Sequence, residues 1–214
     1  FWSDHGGNLL RQKRAVGNSG LNVPLIIRYP NKIDAGTVDD RIVSLMDLGP
    51  TVLSLLNIEP PKHYDGKAIA GQYEESPRKY AFGTADRFDE STDMQRSVLD
   101  GRYVYIKNFM PELPLIYRNK YRERITMNSK LIQMDSLGML EGDAKYIFMK
   151  TKPFEEFYDL ETDPYEVNNI IDDPKYADRI NNFRDALENW QNKINDQGFI
   201  PENKIVAVSY THLR

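Results

Sequence analysis

The sequence predicts an α/β protein that ends in a small antiparallel sheet packed against one helix. The first observation is a short apolar run at residues 23–28, which is the pattern of a strand buried on both faces of a parallel sheet. The second is Asp100–Gly101 between two runs rich in Val and Tyr, which is typical of an antiparallel hairpin. The third is a single apolar stripe at helical spacing near the C-terminus.

Two helices are predicted after the first strand. Asp39 and Asp40 are suitable N-caps for a helix over residues 42–48. Asp47 can cap a second helix that has Pro50 in its first turn, and the Pro60–Pro61 pair stops that helix. We expect these helices to pack on a parallel sheet whose other strands lie upstream of these residues.

Further strands are predicted at residues 80–84 and in the hairpin at residues 98–106, where Asp100–Gly101 suits a type I′ turn. Residues 108–150 have no clear period, and we expect loops and short helices there. Residues 154–160 read as another strand that Asp163–Pro164 stops.

The last helix has the strongest signal. Asp173 is a suitable N-cap, Pro174 lies at the first helical position, and Gly198 is placed to end the helix. Its apolar residues recur at steps of three or four and therefore share one face, which we interpret as core. They are Tyr176, Ile180, Phe183, Leu187, Trp190 and Ile194.

Composition excludes several classes of function. The 214 residues are 40% hydrophobic and 28% charged, which is enough apolar content for a packed core. The net charge of −4 argues against a nucleic-acid-binding protein. No apolar run is long enough to span a membrane. The absence of Cys removes disulfides, Cys-based zinc sites and a thiol nucleophile from these residues.

Residues with metal-binding chemistry stand at the start of the chain. Asp4 and His5 follow two apolar residues and precede two glycines, which predicts the end of a strand that opens into a tight loop with both side chains at its mouth. A carboxylate and an imidazole can both bind a metal, although an Asx-turn beside an incidental His would have the same sequence.

Three cations follow within ten residues, namely Arg11, Lys13 and Arg14. A cation beside a metal-bound oxyanion would stabilise negative charge on its oxygens, whereas a solvated loop is the alternative interpretation. Asp86 and Arg87 directly follow the strand predicted at residues 80–84, where α/β enzymes place substrate contacts, but a surface ion pair fits equally well.

Six segments resemble the sulfatase family in their order and spacing, and in particular bacterial polysaccharide and heparan-type sulfatases. The resemblance extends from Phe1 to about Glu202. The segments are Ser3-Asp4-His5-Gly6, Arg11-Gln12-Lys13-Arg14, residues 23–30, residues 43–51, residues 56–61 and residues 157–166.

The resemblance implies the C-terminal part of an alkaline-phosphatase-like sulfatase fold, with residues 1–94 in the catalytic α/β domain and 95–202 in a small C-terminal subdomain. It implies hydrolysis of sulfate esters or sulfamates of sulfated carbohydrates by a formylglycine nucleophile, with a divalent metal, usually Ca²⁺. Family members that act on polysaccharides are usually exported, so a periplasmic or secreted location is expected.

The resemblance also assigns roles to single residues. Asp4 and His5 match metal ligands, and Lys13 matches the lysine that contacts the sulfate group. Asp86 and Arg87 match substrate-recognition positions more weakly, and Arg11 is a further candidate for substrate binding. Histidine is an unusual ligand of calcium, so Asp4 matches better than His5.

Two departures qualify the resemblance. The Cys/Ser-x-Pro-x-Arg motif that yields formylglycine is absent, and so is the upstream pair of acidic metal ligands. We therefore expect this segment to be inactive by itself. The tail at residues 203–214 matches no family element and looks like translated adaptor sequence, so we exclude it, with His212, from functional interpretation.

Two other functions stay open at this point. A phosphatase or phosphodiesterase of the same superfamily would use two transition metals and a further histidine, for which only His63 and His212 are available. A noncatalytic protein that lost its nucleophile could still hold sulfated glycans through Lys13 and Arg87.

Overall fold

The computed structural model describes residues 1–30, 35–88, 91–116, 118–201 and 204. Its centre is an antiparallel sheet with the strand order β1-β2-β3-β4. The strands are β1 (Ala81–Phe88), β2 (Ser91–Leu99), β3 (Tyr103–Asn108) and β4 (Glu155–Asp159). The α-helices are α1 (Asn18–Leu21), α2 (Leu48–Leu55), α3 (Lys120–Glu123), α4 (Thr126–Ser136), α5 (Asp143–Tyr146) and α6 (Ala177–Ile194).

The predicted hairpin is confirmed, but its turn lies one residue further along the chain. Leu99 pairs with Val104, and the Asp100 N–H donates to Tyr103 O at 3.1 Å, so that Gly101 and Arg102 are the two central residues. Gly101 has φ +95° and Arg102 is not in the left-handed region, which is the pattern of a type II′ turn rather than type I′. The Asp100 carboxylate accepts from the backbone N–H of both Arg102 and Tyr103, and it thereby holds the turn closed.

Strand β1 confirms the strand predicted at residues 80–84 and extends it. Asp86 and Arg87 therefore lie within the strand, at an irregularity in its pairing with β2, and the expectation that they follow the strand is wrong. The sheet combines residues from both sides of position 94/95, and the domain boundary there stays a prediction.

Both faces of the sheet are covered. On one face, Ile180, Phe183 and Leu187 of helix α6 pack against Tyr105 and Phe157 of the sheet. On the other face, Val16 from the N-terminal loop joins a buried cluster with sheet residues, which are Leu99, Val104, Ile106 and Tyr158. The predicted strand at 154–160 and the core role of the last helix are thus confirmed, except that Ile194, at the end of the helix, is 44% exposed and not part of the core.

Helix α6 begins as predicted and ends earlier. Asp173 accepts from the Lys175 N–H and Pro174 opens a 3-10 turn that leads into the helix. The helix ends at Ile194 because Asn195 adopts a left-handed conformation, φ 51°, whereas Gly198 lies in the following 3-10 turn.

Among the residues that the structure describes, the segment 23–28 does not form a strand of the expected parallel sheet, whose other strands are expected upstream. Residues 23–28 contribute a single antiparallel bridge between Leu25 and Trp2, and Ile26 is 62% exposed rather than buried. In the part of the chain that the structure describes, no strand lies beside this apolar run to cover its faces. The run therefore has the sequence pattern of a buried strand but no strands to pair with.

The helix predicted over residues 42–48 is reduced to a 3-10 turn, Leu45–Asp47, capped by Ser44. Asp47 is fully buried, and its carboxylate accepts from the backbone N–H groups of Ser44 and Lys67 and pairs with Arg78. Asp47 precedes helix α2 as predicted, but its side chain links residues 44, 67 and 78 instead of capping that helix. Pro50 lies in the first turn, as expected.

Helix α2 ends before Pro60–Pro61, because Asn57 adopts a left-handed backbone with φ 59°. Residues 108–150 contain loops and the three helices α3 to α5, as predicted. No helix of the described residues has the length and apolarity that crossing a membrane requires. The tail at 203–214, except Lys204, lies outside the described residues, and so does His212.

Candidate functional site

The N-terminal loop, residues 1–21, carries Asp4, His5 and Lys13. Its start is held by the backbone: the Ile26 N–H donates to Phe1 O at 2.7 Å, and the Ser3 N–H donates to Pro24 O at 3.3 Å. The Ser3 hydroxyl donates to His5 O at 2.7 Å, which closes a tight turn around Asp4. The turn leaves the Asp4 side chain 80% exposed and that of His5 40% exposed.

His5 is oriented in a way that suits a ligand. Its Nδ1 lies 2.6 Å from Gly6 O, and because a carbonyl only accepts, Nδ1 carries the proton in the neutral ring. The lone pair then stands on Nε2, 3.6 Å from an Asp4 carboxylate oxygen. A histidine that donates one ring N–H to a backbone carbonyl is the usual arrangement in metal sites.

Asp4 and His5 together supply only two donors. Among the described residues, no group of three or more His, Cys, Asp or Glu side chains could hold a metal ion. Calcium takes six to eight oxygen ligands, so these two residues fit a part of a metal shell and not a complete one. The carboxylate suits a hard cation, whereas the imidazole suits a transition metal better.

Lys13 belongs to the same loop through its backbone. Its N–H donates to Gly7 O at 3.1 Å, two residues after His5. The turn requires a glycine at position 6, because a Cβ there would lie 2.7 Å from Ser19 O. Lys13 Nζ donates to the Tyr121 hydroxyl at 3.1 Å, and Arg122 Nη2 donates to Lys13 O at 3.2 Å. Helix α3 therefore supports Lys13 at both its backbone and its side chain.

Arg11 has a structural set of contacts. Nη1 donates to Tyr165 O at 2.5 Å, and Nη2 lies 3.2 Å from Glu166 O and 3.4 Å from the Glu166 carboxylate. The Glu166 carboxylate also accepts from the Asn18 N–H at 2.8 Å. Burial raises the pKa of Glu166, and the Asn18 bond and the Arg11 charge counter that effect. In the structure, the Arg11 guanidinium links the N-terminal loop to residues 165–166. Its role in substrate binding stays a prediction.

The side chains of Asp86 and Arg87 have different surroundings: Asp86 pairs with a buried arginine, and Arg87 lines a cleft. The Asp86 carboxylate accepts from Arg96 Nη1 at 2.7 Å, and Arg96, which is fully buried, also binds both carboxylate oxygens of Asp196 at 2.8 Å. The bond from Arg96 lowers the pKa of Asp196 to about 2. Arg87 instead lines a cleft beside the N-terminal loop, and Asp86 is not among the residues of that cleft.

This cleft has a volume of about 80 Å³, which is room for several water molecules. It lies between the N-terminal loop and strands β1 to β4. Its charged lining residues come from four parts of the chain, and they are Arg11, Arg14, Arg87, Asp93, Arg122, Glu156 and Glu166. Arg14, which follows Lys13, has φ 67°, a conformation that is uncommon for residues other than glycine.

Sequence reasoning missed Tyr121, Arg122 and Glu166. Tyr121 and Arg122 lie in the region without a clear period, where no local signal marks them. Glu166 belongs to a recognised segment, residues 157–166, but nothing in that segment indicates a bond to a loop about 150 residues earlier. The structure brings Asp4, His5 and Lys13 into one loop; their predicted roles, and those of Asp86 and Arg87, stay predictions.

Comparisons with known proteins agree with one another. The family model described as N-sulphoglucosamine sulphohydrolase, C-terminal, matches residues 6–84. An ulvan-active sulfatase of Formosa agariphila is 39% identical over 206 residues, which are 96% of this chain and 35% of that protein. The N-sulphoglucosamine sulphohydrolase of Homo sapiens is 25% identical over 211 residues, which are 92% of this chain and 41% of that protein.

A solved structure of a 2-O GAG sulfatase has the same fold. It superposes with a TM-score of 0.63 at 20% identity and covers 92% of this chain and 36% of that one. The chain thus spans about a third of the length of the relatives that it matches.

Proposed function

This chain belongs to the sulfatase family and corresponds to its C-terminal part, and from this we propose that the protein hydrolyses sulfate esters or sulfamates of sulfated glycans. The observation that carries the proposal is the 39% identity to an ulvan-active sulfatase over 96% of the chain. The family model covers residues 6–84, which include Lys13. By family analogy we also propose a periplasmic or extracellular location.

Lys13 is the residue to which we assign the sulfate group. An ammonium has three N–H donors, and one of them is bound to the Tyr121 hydroxyl. Two donors are left for oxygens of a sulfuryl group. The electron pair of the breaking sulfur–oxygen or sulfur–nitrogen bond moves to the leaving atom, while the sulfuryl oxygens keep their negative charge. A fixed ammonium beside this group therefore stabilises the transition state more than the bound substrate.

Asp4 and His5 are proposed as ligands of a divalent metal, most simply Ca²⁺, with further ligands from outside the described residues. Bound there, the metal would neutralise oxygens of the sulfate group. The exposed Asp4 carboxylate and the Nε2 lone pair of His5, fixed by the Nδ1–Gly6 bond, are the two groups that this chain offers.

The attacking group is proposed to be a formylglycine that is not among these residues. The sequence has no Cys, and no Ser in it begins the pattern Ser-x-Pro-x-Arg. The activity is therefore proposed for the complete encoded polypeptide, and the 214 residues by themselves are expected to be inactive. Arg87, in the cleft beside the N-terminal loop, is the candidate for contacts to the sugar.

The experiment that tests this function is to read the gene around this chain and express its complete product. We expect a Cys/Ser-x-Pro-x-Arg motif and a pair of acidic residues encoded ahead of Phe1, and release of inorganic sulfate from sulfated oligosaccharides, measured by ion chromatography. A Thr at the nucleophile position together with phosphate release from aryl phosphates would replace the proposal by a phosphatase. An inert residue there, with glycan binding but no turnover, would replace it by a noncatalytic binding protein.

A further inference from the structure

Tyr121 meets the N-terminal loop from a distant part of the chain. Its hydroxyl accepts from Lys13 Nζ at 3.1 Å and from Asn8 Nδ2 at 3.3 Å. The Lys13 ammonium also lies 4.9 Å from the centre of the Tyr121 ring, within the range of a cation–π contact. More than 100 residues separate Tyr121 from both partners, so the contact is made by the fold and not by chain proximity.

These two hydrogen bonds leave the Tyr121 hydroxyl able to donate one further hydrogen bond. A tyrosine hydroxyl has two acceptor lone pairs and one O–H donor, and Asn8 and Lys13 occupy the acceptor side. Among the described residues, no acceptor is recorded for the Tyr121 O–H. Since a bond from an ammonium polarises the hydroxyl, its free O–H is a better donor to an anion than that of a solvated tyrosine.

The turn that carries Tyr121 is anchored by buried polar side chains. Asn119, 3% exposed, caps helix α3 by accepting from the Arg122 N–H at 2.7 Å. The Arg122 side chain is 6% exposed and donates to Lys13 O, while Asn128, fully buried, donates to Arg122 O at 3.1 Å. Tyr121 itself is 38% exposed. The buried side chains therefore fix the position of Tyr121, while its hydroxyl is open to solvent.

We propose that Tyr121 and Lys13 form one oxyanion-binding pair, in which Lys13 contributes two N–H donors and Tyr121 contributes its O–H to the same anion. The pair rests on the proposed function only for the identity of that anion, a sulfate group of a glycan. No comparison or motif assigns a role to Tyr121. The assignment makes helix α3 a wall of the binding site and not only a support of the loop.

The chain contains a matched control for this contact. Lys175 Nζ donates to the Tyr176 hydroxyl at 3.3 Å and lies 4.9 Å from its ring, nearly as in the Lys13–Tyr121 pair. The two residues are neighbours in sequence, and the Tyr176 ring packs against the core of the sheet. No second donor binds the Tyr176 hydroxyl among the described residues, so this pair has the same groups without the oriented O–H.

The test is a titration of the complete encoded polypeptide with inorganic sulfate at constant ionic strength, with chloride as the balancing anion. Isothermal titration calorimetry gives the affinity, and 13Cζ-labelled tyrosine reports each hydroxyl in the NMR spectrum. We expect Tyr121→Phe to weaken binding about tenfold, as loss of one hydrogen bond to a charged group requires, and Lys13→Ala to weaken it further. Tyr176→Phe should bind as the unsubstituted polypeptide does.

Two affinity results would overturn the pair. One is equal sulfate affinity of Tyr121→Phe and the unsubstituted polypeptide. The other is no saturable binding at all by the unsubstituted polypeptide. A Tyr121 13Cζ signal that does not move with sulfate, while the Lys13 variant loses binding, would leave Lys13 as a lone anion contact and also reject the role of Tyr121. The gene and turnover experiment decides the sulfatase function separately, so the two failures are distinguishable.

Discussion

The N-terminal region, residues 1–80, and the sheet region, residues 81–201, differ in where their apolar side chains lie. In the sheet region, both faces of the sheet are covered, and Val98, Tyr105 and Phe157 are fully buried. In the N-terminal region, many large apolar side chains face solvent, and they include Phe1, Trp2, Ile26, Val38, Met46, Val52 and Leu56. Its buried hydrophobic residues, as far as the structure describes them, are Leu10, Val16 and Ala68.

This contrast identifies the contacts that hold the candidate site in place. The N-terminal loop is not fixed by a core of its own, since Val16 is buried against the sheet and Arg11 and Asn18 are bonded to Glu166. The candidate site therefore takes its geometry from the sheet region. Stability should depend on the aromatic core, and activity on polar contacts at the edge of that core.

The largest expected effect lies in that core. Phe157, fully buried, stacks on Tyr103 and meets Phe183 edge to face. Phe157→Ala should lower the free energy of unfolding by about 3–5 kcal/mol, because it removes buried area and leaves a cavity. Val52→Ala, at a side chain that is 55% exposed, should change it by less than about 0.5 kcal/mol. Urea unfolding of both variants measures this, and equal losses would erase the contrast between the two regions.

The second effect separates function from stability. In the complete encoded polypeptide, Lys13→Ala should lower turnover of a sulfated substrate about 100- to 1,000-fold, the usual cost of losing one group that stabilises developing negative charge. The unfolding midpoint should stay within a degree or two, because the exposed ammonium is not part of the core. Lys175→Ala is the control and should keep full turnover. Unchanged kinetics in the Lys13 variant would remove its assignment.

A third effect concerns acid. Arg96 lowers the folded-state pKa of Asp196 to about 2 from the ordinary 3.8, so the pair stabilises the fold above pH 4 and loses that contribution as the pH falls towards 2. The shift corresponds to roughly 2 kcal/mol at neutral pH. Asp196→Asn should therefore be less stable at pH 7 and show a flatter loss of stability between pH 4 and pH 2. Urea midpoints across this range measure it, and parallel profiles would contradict the pairing.

The smallest effect tests the link between the regions. A Cβ on Gly17 would lie 2.5 Å from a Glu166 carboxylate oxygen, so Gly17→Ala must displace that side chain and should cost about 1–2 kcal/mol. At Gly49, in helix α2, a Cβ meets only an ordinary contact at 3.6 Å, and Gly49→Ala should be neutral or slightly stabilising. Hydrogen exchange should be faster at the Asn18 amide in the Gly17 variant alone; an unchanged rate would mean that Glu166 does not hold the loop.

Local sequence patterns predicted two kinds of element correctly. One is a pair of strands close in sequence, and the other is a helix with a continuous apolar face. Helix α6 and the hairpin of β2 and β3 are confirmed because an apolar face at helical spacing and a turn residue between two β-rich runs act over a few residues. The expected parallel strand at residues 23–28 is wrong for the opposite reason. An apolar run indicates that a segment can be buried, but it does not indicate which other segment packs against it.

The chemistry of the loop follows from the order of its residues: a carboxylate, an imidazole and a lysine ammonium lie within ten residues, in an order that resembles the sulfatases. The partners of these groups and of their neighbours follow from the fold. Lys13 meets Tyr121, Arg11 meets Glu166, and Asp86, within its strand, meets Arg96. The first two of these contacts join residues more than 100 positions apart. Contacts over such separations depend on how the whole chain closes around the sheet, which no local periodicity encodes.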